Sequence, residues 1–121
     1  MKLTYNKYEK LKSQKTIEQI FLEGKSVSAY PLLLVYLKHG DSRKVGVSVS
    51  KRNFKRAVDR IRIKRLLREA YRLNKTMLIN NEVNGYALMI LYFSKDMPDF
   101  KLVNTKMKAI LTKFTDIISK S

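Results

Sequence analysis

Residues 86–93 read YALMILYF, an unbroken apolar run held between the turn-forming stretches NNEVNG and SKDMPDF. It is far too short to cross a bilayer, which takes about 20 apolar residues. It also lacks the polar alternation of a strand with one wet face, so as a strand it must be buried on both faces. The rest of the chain has to supply that cover. With 121 residues, one domain with a real hydrophobic core is possible and two comfortable ones are not. The expectation is a single domain over 1–121.

Candidate covering elements lie on either side of the run. After it, Val103, Met107, Ile110, Phe114 and Ile117 recur at spacings of four and three, the apolar stripe of a helix docked on a sheet. Near the start, TIEQIFLEG predicts a short helix, with Thr16 and Gln19 as a capping box, Ile17, Ile20 and Phe21 on one face, and Gly24 as the stop. SVSAYPLLLVYLKHG favours a strand, in which Pro31 marks an edge or a late start. Gly40-Asp41-Ser42 then turns the chain into a second strand, where Val45, Val47 and Val49 alternate with Gly46 and Ser48. These two strands are expected to form a hairpin. Residues 54–73 read as a long helix and 1–12 as a loose basic arm. The order α-β-β-α-β-α makes an α+β sandwich with helices packed on one sheet.

The chain carries 26 Lys+Arg against 10 Asp+Glu, a formal charge of +16, which exceeds what solubility requires in so small a domain. An anionic partner is implied, and its sign alone fits nucleic acid, an anionic membrane surface or an acidic protein. Apolar content of 45% belongs to a folded domain and not a disordered tail. The absence of cysteine excludes disulfides, zinc ribbons and thiol catalysis, and fits a reducing interior. The opening residues MKLTYNKYEKLKSQK contain no apolar signal-peptide region. A cytoplasmic protein with no membrane segment is expected.

The charge is concentrated. Between Lys51 and Arg72 stand Lys51, Arg52, Lys55, Arg56, Arg60, Arg62, Lys64, Arg65, Arg68 and Arg72, opposed only by Asp59 and Glu69. Within that window Ile63, Leu66, Leu67 and Ala70 fall on one helical face, built to be buried, while Lys64, Arg65, Arg68 and Arg72 project from the other. A merely solvated helix mixes signs as i, i+4 pairs, whereas like charges this close repel unless an anion neutralises them. Arginine predominates, and its planar fork suits bidentate phosphate contacts. The loop SVSKRNFKRAV leads into a helix N-terminus whose free N–H groups also attract phosphate. This surface is expected to grip a phosphate-bearing polyanion with strong salt dependence.

Catalytic equipment is not expected in the chain itself. Its only histidine, His39, falls in a probable-turn sequence and reads as a surface residue; the carboxylates are scattered, with Asp96 and Asp99 beside Pro98 serving a loop. Tyr86, Tyr92, Phe93 and Phe114 sit at core-like spacings and are expected to pack. A DNA-recognition helix has less support, because residues 57–73 are flanked by strands instead of a short turn and a second helix. A membrane-surface helix would need a Trp- or Phe-rich insertion face.

SVSKR followed by AVDRIRIKRLLREAYR resembles the signature region of the bacterial ribonuclease P protein subunit, and FLEGKSVS and KVGVSVS extend the likeness upstream. The resemblance implies a ribosomal-protein-S5-domain-2-like fold with a left-handed crossover. It implies a partner RNA that performs the chemistry with bound Mg2+, and a holoenzyme that cuts the 5′ leader from precursor tRNA. It places Arg60, Arg62, Lys64, Arg65 and Arg68 against the RNA subunit. It also implies a leader cleft between the first helix and the sheet, with Phe21 and Ile17 on the helix side and Val35 or Tyr36 on the strand side. No catalytic residue, protein-bound metal or protein partner is implied. The main alternative is a ribosomal or other structural RNA-binding protein. Two positions depart from the family pattern: Ile61 replaces the Asn of Arg-Asn-Arg, and Ile17 stands where an aromatic is usual. Ile61 either packs on Val58 or meets a ribose or base face.

Overall fold

The computed structural model describes residues 9–81 and 83–119. Its strands are β1 (Lys25–Ala29), β2 (Leu32–Lys38), β3 (Lys44–Val49) and β4 (Tyr86–Tyr92), and its helices α1 (Gln14–Glu23), α2 (Ala57–Asn74), α3 (Thr76–Asn80) and α4 (Phe100–Ser119). One mixed sheet runs β1-β2-β4-β3, antiparallel except for the parallel pair β3 and β4. The apolar run 86–92 is an interior strand of this sheet, and its continuous hydrophobicity follows from having neighbours on both sides and cover on both faces.

The α+β class is as expected, but the order contains one strand and one short helix more. SVSAYPLLLVYLKHG is two strands, not one, because the chain turns at Tyr30-Pro31 and β1 pairs back on β2 from Ala29↔Leu32 to Lys25↔Tyr36. The expected hairpin between β2 and β3 does not form: β4, from much later in the sequence, lies between them. The bend after Asn74, at Lys75, opens α3, which was not foreseen.

Alternation divides the core into two layers. Leu32, Leu34, Tyr36, Val45, Val49, Leu88, Ile90 and Tyr92 meet α2 and α4 through Ile63, Leu67, Ala70, Tyr71, Val103, Met107, Ile110 and Phe114. On the opposite face Val35, Ala87 and Met89 are capped by Ile20 of α1, with Leu11, Ile17, Leu33, Leu37 and Leu91 around them. Each fully buried Leu or Ile contributes roughly 1.5–3 kcal/mol, so the larger layer fixes α2 and α4 firmly.

The helix ends follow local chemistry. Ser13, not Thr16, caps α1: its hydroxyl accepts from the Thr16 N–H at 3.3 Å. That helix ends where Gly24 turns to extended backbone, and the position admits only glycine, since a Cβ there would lie 2.4 Å from the Ile20 carbonyl oxygen and 2.8 Å from that of Tyr36. Asp99 Oδ1 accepts from the Leu102 N–H at 2.8 Å at the start of α4. The stripe on α4 is buried through Phe114, but Ile117 is exposed and its neighbour Ile118 packs against the core instead.

The expected loose arm divides. Residues 1–8 lie outside the described residues, whereas Lys10 bridges Val45 in parallel, with Leu11 N–H donating to Val45 O at 2.9 Å. Glu9 reaches the interior, where Oε2 accepts from Tyr71 Oη at 3.0 Å and from Arg43 Nη2 at 3.4 Å, and Oε1 pairs with Lys75 Nζ. Residues 9–11 are thereby pinned to β3, α2 and the α2–α3 junction.

Candidate nucleic-acid interface

The long basic helix begins at Ala57, with the turn Lys51-Arg52-Asn53 and residues 54–56 leading into it from the end of β3. Ile63, Leu67, Ala70 and Tyr71 are buried and Leu66 is half-buried, so the apolar face is used as its spacing demands. Lys51, Arg52, Lys55, Arg56, Arg62, Arg65 and Arg68 are exposed, and Lys64 is half-exposed. Among the described residues the ion pairs join Arg43 and Lys75 to Glu9, and Arg72 to Glu69. Nine of the ten basic side chains in this window therefore have no carboxylate partner among the described residues. They form a continuous arc of uncompensated charge.

Arg60 and Arg72 behave differently from the other eight. Arg60 Nη1 donates to the carbonyls of Phe54 and Lys55 at 2.8 and 2.9 Å, which fastens the loop to the first turn of α2. Arg72 Nε donates to Glu69 Oε2 at 3.1 Å; this hydrogen bond lowers the Glu69 pKa and raises that of Arg72. Ile61 is 54% and Val58 57% exposed, so neither is withdrawn into the core. An apolar pair stands on the solvent side of the helix, between arginines.

A second feature meets this arc. On the α1 side of the sheet a cleft of about 240 Å³ is lined by Leu11, Ile17, Gly46 and Met89, with Lys10, Lys12 and Arg68 among its cations. Gly46 leaves the floor low, since a Cβ there would lie 2.6 Å from the Met89 sulfur. Of the side chains expected in a leader cleft, Ile17 lines this one. Phe21 is exposed and does not line it, and Val35 is buried beneath α1. Tyr36 points the other way, its ring 5.0 Å from that of Phe114, because adjacent residues of a strand face opposite sides. Leu11, Gly46, Met89 and Arg68 were not foreseen as cleft residues. The one local signal was Gly46, since glycine inside a strand marks a close approach.

His39 is exposed and borders a neighbouring hollow of about 340 Å³ with Thr16, Ser42 and Lys44. Among the described residues no three His, Cys, Asp or Glu side chains gather in a way that could hold a metal ion. No helix there is long and apolar enough to cross a membrane.

The ribonuclease P family model matches residues 5–115. A ribonuclease P protein component from Porphyromonas gingivalis is 39% identical, over 96% of this chain and 90% of its own length. One from Clostridioides difficile is 35% identical, over 95% of this chain and 98% of its own. Among solved structures, the RNase P protein from Thermotoga maritima superposes with a TM-score of 0.72 at 26% identity, covering 87% of this chain and 96% of that one. The Staphylococcus aureus protein shares the fold, with a TM-score of 0.72 at 22% identity over 88% of this chain and 94% of its own. A basic arc, a bordering cleft and a matching sequence over nearly the whole length lead to one assignment: the chain belongs to the ribonuclease P protein family.

Proposed function

We propose that this protein is the subunit that binds the catalytic RNA of ribonuclease P in the cytoplasm and promotes endonucleolytic removal of the 5′ leader from precursor tRNA. The observation that carries the reading is the arc of nine cations without carboxylate partners among the described residues, from Lys51 to Arg68, on the loop before α2 and on that helix, whose other face is fixed in the core. Phosphates would neutralise it, and several such contacts make affinity fall steeply with salt. The cleft beside Arg68 is apolar at its base and cationic at its rim, which suits the bases and phosphates of a single-stranded leader.

Phosphodiester hydrolysis is assigned to the RNA. The cleft offers Lys and Arg side chains, which hold phosphates, and no His or carboxylate lines it to move protons. Mg2+ is assigned to the RNA as well; among the described residues no three metal-ligating side chains gather. What the protein supplies is counter-charge, which favours the compact RNA fold, and a longer contact with the substrate.

The test mixes purified protein, a ribonuclease P RNA and a precursor tRNA at low magnesium, omitting each in turn and following leader release. Cleavage that requires both protein and RNA is expected. Tight RNA binding with no stimulation of cleavage would overturn the reading in favour of a structural RNA-binding protein.

A further inference from the structure

The open face of the sheet does not stop at the α1 cleft. Along β4 the row Ala87, Met89 and Leu91 faces α1, and the pairing with β2 continues one step beyond the strand, with Phe93 N–H donating to Pro31 O at 3.1 Å. Alternation then sets Phe93 on the same row, about 13 Å along the strand from Met89. There it meets Tyr30 from the β1–β2 turn, with ring centroids 5.1 Å apart and planes 84° to each other. Tyr30 is 62% and Phe93 39% exposed. Core-like spacing predicts packing for both Tyr92 and Phe93, but only Tyr92 is buried, near Phe54, and Phe93 is exposed.

Between the cleft and this pair, Leu33 and Leu91 are cross-strand partners and half-buried, and β3 contributes only Gly46 and Ser48 on this side, so the surface is low. At the aromatic end the chain leaves β3 through Ser50 directly into exposed Lys51 and Arg52, and exposed Lys95 follows Phe93 by two residues. Single exposed apolar side chains are ordinary on any protein. Here two rings are held edge to face with ring surface open to solvent, on a track that begins at the cationic cleft and ends at cations. Copies of a chain with charge +16 repel one another, so the charge favours an anionic occupant over a second copy.

We propose that Tyr30 and Phe93 form a stacking platform for an unpaired base of the single-stranded leader, with Lys51 and Arg52 beside its phosphates. The proposal rests on the reading that this sheet face carries the leader. Base stacking on an aromatic side chain is sequence-tolerant, as a platform that must accept many leaders requires.

The experiment uses the reconstituted holoenzyme and precursor tRNAs carrying 2-aminopurine at successive leader positions. It compares the wild-type protein, Phe93→Tyr, and the double variant Tyr30→Leu with Phe93→Leu, all checked for unchanged circular dichroism. Fluorescence of one leader position should be quenched by the wild type and by Phe93→Tyr, and the double variant should abolish that quench. Affinity for the long-leader substrate should fall about 5- to 150-fold in the double variant, the range set by one lost stack. If wild-type protein quenches leader positions and the double variant gives the same profile and affinity, the platform is overturned while the leader reading stands. If wild-type protein quenches no leader position and longer leaders bind no better, the leader reading fails and takes the platform with it. Unchanged leader affinity accompanied by loss of self-association would make the pair a protein contact, which also overturns the proposal.

Discussion

Glu9 does more for this fold than any other single carboxylate in view. Its side chain is largely buried and takes Tyr71, Arg43 and Lys75 as partners, while Arg43 Nε donates to Tyr71 Oη at 3.0 Å and Arg43 Nη1 to Val83 O at 3.0 Å. Removing one member of a buried ionic cluster leaves charges unpaired in a poor solvent for them, so Glu9→Gln should cost about 3–5 kcal/mol in urea unfolding. Tyr71 gives a pH signature. Burial raises its pKa well above the ordinary tyrosine value, while Arg43 lowers it and Glu9 raises it by smaller amounts. A raised folded pKa means that the folded form keeps its proton while the unfolded form ionises near pH 10, so stability is complete below that pH and is lost as pH climbs above it. Tyr92, also raised by burial, adds to the same trend. Unfolding measured from pH 9 to 11 should therefore show a decline that is shallower in Tyr71→Phe; an identical slope would remove Tyr71 from the account. None of this network was legible in the sequence, because Glu9 and Tyr71 lie 62 residues apart and neither leaves a local mark.

Among the elements, α2 was the most legible. Its 3.6-residue periodicity is decided within the helix itself, so Ile63, Leu67 and Ala70 could be assigned to the core from spacing alone. The β2–β3 connection was not, because local turn chemistry at Gly40 predicts a turn and says nothing about a strand that inserts from position 86 onward. Side-chain partners also separate arginines that look alike in sequence. Arg60 clasps the carbonyls of Phe54 and Lys55, whereas Arg62 and Arg65 make no ion pair among the described residues. Arg60→Ala should thus lower stability by about 1.5–3 kcal/mol, the range for hydrogen bonds to a charged group. Arg62→Ala with Arg65→Ala should leave the melting temperature unchanged and lower the slope of log K against log salt by about 1.4 to 1.8, two phosphate contacts' worth. Thermal melts and filter binding at several salt concentrations would check both. Unfolding of the Arg62, Arg65 variant would refute the separation of core face and RNA face.

At the scale of the molecule, the two surfaces read separately from the sequence turn out to share a residue. Arg68 belongs to the arc on α2 and also lines the cleft with Lys12, because β3 is the edge strand and α2 passes behind it. The cleft itself could not have been drawn from sequence, since it needs Leu11 from the pinned N-terminal segment, Gly46 from β3 and Met89 from β4 in one place. Sharing has a consequence for energetics. On the proposed function, a cation placed on both surfaces should contribute to holoenzyme assembly and to leader-dependent substrate affinity, while Arg65, outside the cleft lining, should contribute to assembly alone. Arg65→Ala is expected to weaken binding of the RNA subunit yet preserve the gain in affinity that a long leader gives over a short one. Arg68→Ala is expected to lose part of both. Combined with Lys12→Ala it should be non-additive for leader affinity, with a coupling of about 0.5–3 kcal/mol, because the two side chains act on one stretch of phosphate. Equal behaviour of the Arg65 and Arg68 variants in the leader assay, or strict additivity in the cycle, would mean that the leader takes another path and that α2 serves the RNA subunit only.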